Sequence, residues 1–145
     1  MANNAITIAD EVVKTLNSGG VTATRSLFPF YELKDLASLR VTVVPKSVDI
    51  QSFSRSSSEF DYQIDIAFQK SVKLPDDPEV STLADLVLTT AKSFRGTVYS
   101  GVGVGAGVGI NAICSKVGIL LYSAEHIQPP SVFTSVITLN FKVIE

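Results

Sequence analysis

The chain has 145 residues, of which 46% are hydrophobic and 18% charged, with a formal net charge of −2. That size suits a single domain spanning 1–145, and a charged fraction below the usual ~25% implies that part of the apolar surplus faces other subunits. No two Lys or Arg residues are adjacent, which denies a monomer the basic stripe that neutralises several phosphates in nucleic-acid binding.

Met1 to Val13 has neither a basic opening nor a long apolar run, so no secretory leader is expected. No stretch reaches the roughly 18 apolar residues of a membrane span. Expression and folding in a reducing cytoplasm follow. Thr7 and Asp10 have capping-box spacing, and Ala9, Val12, Val13 and Leu16 form an apolar stripe. They predict a helix over Ile8 to Asn17, with Asp10 and Glu11 in its first turn, Lys14 toward its end, and Gly19 and Gly20 stopping it.

Val21 to Leu27 is β-branched and reads as a strand; Glu32 to Leu39 has room for one short turn. Arg40 to Val44, closed by Pro45, and Val48 to Phe53 read as two neighbouring antiparallel strands. Ser54 to Ser58 is a polar tip. Beyond it Tyr62, Ile64, Ile66 and Phe68 alternate with Asp61, Gln63, Asp65 and Gln69, the period of a half-buried strand.

Asp77 as N-cap, Pro78 at the first helical position and Gly96 past the end bracket a second helix. Its stripe is Val80, Leu83, Leu86, Val87, Thr90, Ala91 and Phe94. Further strands are predicted from Ile113, Val117, Ile119 and Leu121, alternating with Cys114, Lys116, Gly118 and Leu120. The last is predicted from Phe133, Ile137, Leu139, Phe141 and Val143. Ser123 to His126 makes a turn, and Pro129 and Pro130 stop any helix there. The order of helix, about four strands, helix and two or three strands defines an α+β fold. Its mainly antiparallel sheet carries two principal helices on one face.

Between the second helix and those last strands lies the chain's one long anomaly. Ser100 to Asn111 places glycine at alternate positions, Gly101, Gly103, Gly105, Gly107 and Gly109, with valine and alanine between. Such a segment reads as a loop or arm at about 100–111, either a surface loop or an element ordered against a neighbouring subunit. Gly101, Gly103 and Ala106 formally match a relaxed dinucleotide fingerprint. The helix that must receive a pyrophosphate does not follow, and Glu125 is a poor ribose partner.

Candidate chemistry is sparse. The single cysteine, Cys114, cannot form an internal disulfide, and beside Ala112 and Ile113 it reads as a buried structural thiol. His126 is the only histidine and falls in a turn with Glu125 beside it, which alone makes no catalytic dyad. Asp61 and Asp65 stand about 13 Å apart along a strand, too far to share a bond or a metal. Asp76 and Asp77 are explained by capping. No catalytic residue, cofactor site or metal site is expected. Arg55 is a solvated loop residue, or a phosphate contact where many copies point it into a common channel.

Several segments resemble, in order, the tail terminator proteins of tailed bacteriophages and prophages, and the similarity spans most of the chain. They are Ile8 to Val13 with Leu16 and Asn17, Tyr31 to Leu36, Val41 to Pro45, Asp61 to Ile66, Leu121 to Ile127, Phe133 to Leu139 and Phe141 to Val143. The resemblance implies a virion structural protein of the head-tail junction. Such proteins form a ring, hexameric or similar, that caps the tail tube and meets the head connector, with DNA passing non-specifically through its lumen. It implies no ligand set and no active site. Ser100 to Asn111 departs from the family, where a shorter, more charged connection is expected. A head-tail adaptor or head-completion protein is the neighbouring reading, and a small cytosolic ligand-binding module the reading of another class.

Overall fold

The computed structural model describes residues 4–26, 39–52, 54–55, 58–71, 78–102, 110–120 and 132–144. Chain order is α1 (Asn4–Ser18), β1 (Ala23–Arg25), β2 (Arg40–Ser52), β3 (Ser58–Ser71), α2 (Pro78–Ser93), β4 (Val98–Val102), β5 (Ile110–Leu120) and β6 (Val132–Ile144). One six-stranded sheet has the order β1-β2-β3-β6-β5-β4, antiparallel throughout except for the parallel β1–β2 pair. The fold is α+β, as the sequence predicts.

Helix α1 starts a turn earlier than the capping pattern suggests. Ala5 lies on the same stripe as Ile8, Ala9, Val12 and Leu16 and packs against the core, so burial extends the helix past Thr7. Asp10 and Glu11 therefore sit mid-helix instead of in the first turn: Asp10 accepts from Arg25 Nε at 2.7 Å, and Glu11 pairs with Lys14 at 3.3 Å. The helix ends as the glycines predict. Gly20, at φ 87°, lets the Val21 amide donate to the Leu16 carbonyl at 2.9 Å and the Gly20 amide to Asn17 at 3.2 Å. That cap consumes Val21, which shortens the expected Val21 to Leu27 strand to Ala23–Arg25.

Arg40 to Ser52 is one strand, not two. Proline inside a strand is tolerated at an edge or a bulge, and Pro45 has both. The register with β3 slips between Pro45 and Ser47, leaving Lys46 as the extra residue, and β1 covers only Val41 to Val43 on the other side. Three strands, not four, therefore lie between the helices among the described residues. The slip also reverses facing: Val41 and Val43 point to the helices before it, Val48 and Ile50 after it.

Both helices cover the same face of the sheet. Ile8, Val12 and Leu16 of α1 join Leu83, Val87 and Ala91 of α2, and Phe94 just past its end, in one buried cluster with Ile64, Ile66, Phe68, Ile137, Leu139 and Phe141. Central rungs such as Ile64 opposite Leu139 and Ile66 opposite Ile137 place these side chains in register. The predicted Tyr62 to Phe68 alternation is buried throughout. On the far face Asp65 accepts from Thr138 at 3.0 Å and pairs with Lys46 at 3.6 Å, while Ser47 donates to Gln63 at 3.0 Å.

Helix α2 begins at Pro78 and closes with Gly96 at φ 73°, as expected; Asp76 and Asp77 lie outside the described residues. Of the expected turn at Glu32 to Leu39, Glu32 to Ser38 lie outside them too, as do Leu121 and Ser123 to Pro130. Strand β5 repeats the device of β2. A register slip between Cys114 and Lys116 makes Ser115 the extra residue, so Ala112 and Cys114 face the core before it and Val117 after it. Ile113, expected on the same face as Val117, points outward and is exposed.

Candidate functional site

The two ends of the glycine-rich segment lie in paired antiparallel strands. Ser100 and Gly101 belong to β4, and Ile110 and Asn111 belong to β5, with Val102 opposite Ile110. The predicted loop or arm spans about 100–111. Its two ends are sheet, and Gly103, Gly105, Gly107 and Gly109 lie outside the described residues. Gly101 falls where two β4 residues oppose one of β5, since the register steps from Tyr99–Ala112 to Val102–Ile110. A glycine at such a bulge costs no side-chain packing.

Arg55 sits in the bend joining β2 to β3 and is exposed. His126 and Glu125 lie outside the described residues. Asp61 and Asp65 share the polar face as predicted, and Asp65 is fully engaged by Thr138 and Lys46. Asp61 is placed differently. It stands directly opposite Asp49 on β2, a like-charge rung, and its buried Oδ1 has no hydrogen-bond partner.

Cys114 is the buried thiol that its neighbours predict, 6% exposed, with Sγ donating weakly to the Lys116 carbonyl at 3.8 Å. Burial pushes its pKa up, and burial also raises that of Tyr99. The Tyr99 hydroxyl lies 2.7 Å from Thr15 Oγ1. Because the Thr15 proton goes to the Glu11 carbonyl at 3.0 Å, Tyr99 is the donor of that pair. Both groups keep their protons in the folded chain at pH values where the unfolded chain has lost them. The unfolded state then binds fewer protons, so stability is fully present below the ordinary thiol pKa and falls as pH rises through it. The melting temperature is expected to fall as pH rises through the thiol and tyrosine range. In Cys114→Ala the fall should begin later, at tyrosine titration; an unchanged profile in that variant would remove the thiol from the explanation.

A grouping that no sequence spacing announces surrounds Cys114. An open groove of about 300 Å³ lies between the end of α2 and β5, floored by Ala91, Val117 and Ile119 and rimmed by Lys92, Arg95 and Lys116. These three cations make no ion pair among the described residues. Lys92 lies in the last turn of α2 and Arg95 just past its end, but Lys116 arrives from a strand two elements later.

Both sheet edges are stepped. β1 pairs with β2 only at Val41 to Val43, and β4 pairs with β5 only as far as Ile113, plus the Cys114 amide donating to Thr97. Among the described residues this leaves Pro45 to Ser52 and Ser115 to Leu120 without an outer ladder partner, on opposite sides of the sheet. Val48, at 40% exposure, and Ile50, at 63%, stand on the first edge, and Ile119, at 37%, on the second. Among the described residues no helix is long and apolar enough to cross a membrane. No protein-family model matches the chain, and no curated protein matches it.

Proposed function

We propose that this chain is a virion structural protein of the phage head-tail junction, a tail terminator. It forms a ring, hexameric or similar, that caps the tail tube and meets the head connector. The resemblance of successive segments to that family supports the role, and the observation that carries it here is the pair of sheet edges, on opposite sides of one sheet, that lack an outer ladder partner among the described residues. Two different surfaces that complement each other generate closed rings or filaments, whereas a single self-complementary patch generates a dimer. Exposed valine and isoleucine on unpaired edges are a liability that assembly removes. Arg55, repeated around a ring, supplies a non-specific phosphate contact for passing DNA. The chain contributes interfaces, with no catalysis or cofactor assigned.

Mass measurement across a dilution series, with and without purified tail tubes, is the direct test. A ring, or assembly that depends on tubes, is expected; a monomer at every concentration that ignores tubes overturns the reading. Deleting Gly103 to Gly109 should impair joining and leave melting unchanged. Copy number in the neck separates a terminator from a head-tail adaptor or head-completion protein. The groove beside Cys114 favours a second reading, a small ligand-binding module, and that reading requires a monomer that saturates with ligand.

A further inference from the structure

We propose that the open edge of β2 in one copy pairs with the open edge of β5 in the next, seating Val48 and Ile50 in the groove at the end of α2. This rests on the reading that copies associate, and it names the two surfaces that do so.

Strand sense comes first. β2, β3, β6 and β5 alternate in direction, so two copies set side by side in the same orientation present β2 antiparallel to the neighbour's β5. No inversion of the chain is needed. Facing comes second. Past the Lys46 slip, Val48 and Ile50 lie on the helix-covered face; past the Ser115 slip, Val117 and Ile119 lie on that same face. Apolar meets apolar only when Asp49 stands opposite an even-numbered β5 residue. Opposite Lys116, Gln51 would meet Cys114, whose amide β4 already holds. Opposite Gly118, Val48 meets Ile119, Ile50 meets Val117 and Gln51 meets Lys116.

Charge comes third. In that register Asp49 is diagonal to Lys116, within reach of a long side chain. A carboxylate crowded by Asp61 gains a cation, and Lys116 gains an ion-pair partner that it lacks among the described residues. Lys92 and Arg95 lay their aliphatic stems over the seated valine and isoleucine while their heads stay in water. The same register offsets neighbours along the strands, as closure of a sheet into a cylinder requires.

In a Cys114→Ser background, Val48→Cys with Ile119→Cys should give an oxidised ladder of covalent multimers, whereas Asp49→Cys with Ile119→Cys should not, because those two face opposite ways. Ile50→Asp, at an exposed position, should keep its melting temperature and raise the concentration for half-dissociation by at least about thirtyfold. Lys116→Glu should weaken assembly, and Asp49→Lys added to it should restore it. If the wild-type chain associates but yields no ladder and ignores Ile50→Asp, the edge pairing is wrong while self-association stands. If the wild-type chain stays monomeric with and without tail tubes, self-association fails and takes the pairing with it. Should Ile50→Asp fail to fold, the cysteine pairs decide.

Discussion

Phe141→Ala is expected to lower the free energy of unfolding by about 3 to 5 kcal/mol, the range for deleting a fully buried aromatic side chain. Phe141 has no exposed surface. It stands on β6 between Tyr62 of β3 and Cys114 of β5, and Tyr99 of β4 stacks on it with ring centroids 5.4 Å apart. Truncation thus opens a void where three neighbouring strands meet, and stiff sheet on both sides limits collapse. Urea denaturation of the purified variant measures this. A loss under about 1 kcal/mol would show that the site refills by repacking. Phe141→Leu, which keeps most of the volume, should lie between the two.

Val12→Asp is expected to unfold the chain or strip α1 from the sheet. Val12 has no exposed surface and sits in the middle of the stripe that α1 presses on the sheet. A carboxylate there has no cation in the cluster to pair with, and an unpaired buried charge costs several kcal/mol, comparable to the whole stability of an ordinary domain. Two residues on, Lys14 is exposed and pairs with Glu11 on the surface, so Lys14→Asp should change stability by no more than about 1 kcal/mol. Far-UV circular dichroism and amide exchange across Asn4–Ser18 separate the two. Equal behaviour of both variants would mean that α1 is not docked by that stripe.

What the amino-acid order discloses is uneven, and the reasons are local. Tyr62 to Phe68 could be read directly because β3 itself carries no inserted residue in either pairing, so its period of two stays intact. Helix α2 was bounded by Pro78 and Gly96, whose backbone limits act within one or two residues. Pattern reading failed where one inserted residue inverts the facing of everything after it. Lys46 and Ser115 do this in β2 and β5, and neither has a side chain that advertises a bulge. Hence Pro45 looked like a strand end, and Ile113 looked like a neighbour of Val117. The start of α1 was missed because tertiary burial of Ala5 outweighs a capping pattern at Thr7.

The candidate surfaces were the least legible. Val48, Asp49 and Ile50 have the look of any half-buried strand, and their exposure depends on how short β1 is. Lys92 and Arg95 come to line one groove with Lys116 only because the end of α2 lies over β5. Cys114, by contrast, was placed by its apolar neighbours, since burial of a small thiol needs nothing long-range.

The order β1-β2-β3-β6-β5-β4 puts the final element of the series between two earlier groups of strands. Glu59 waits for Ile144 and Ser71 for Val132, so during synthesis the ribosome must have delivered Val132–Ile144 before either group acquires its inner neighbour. Until then the nascent polypeptide carries two raw borders inside the future sheet, the sort of surface that holding chaperones cover. Translation halted ahead of Val132 therefore yields two sticky fragments of a sheet.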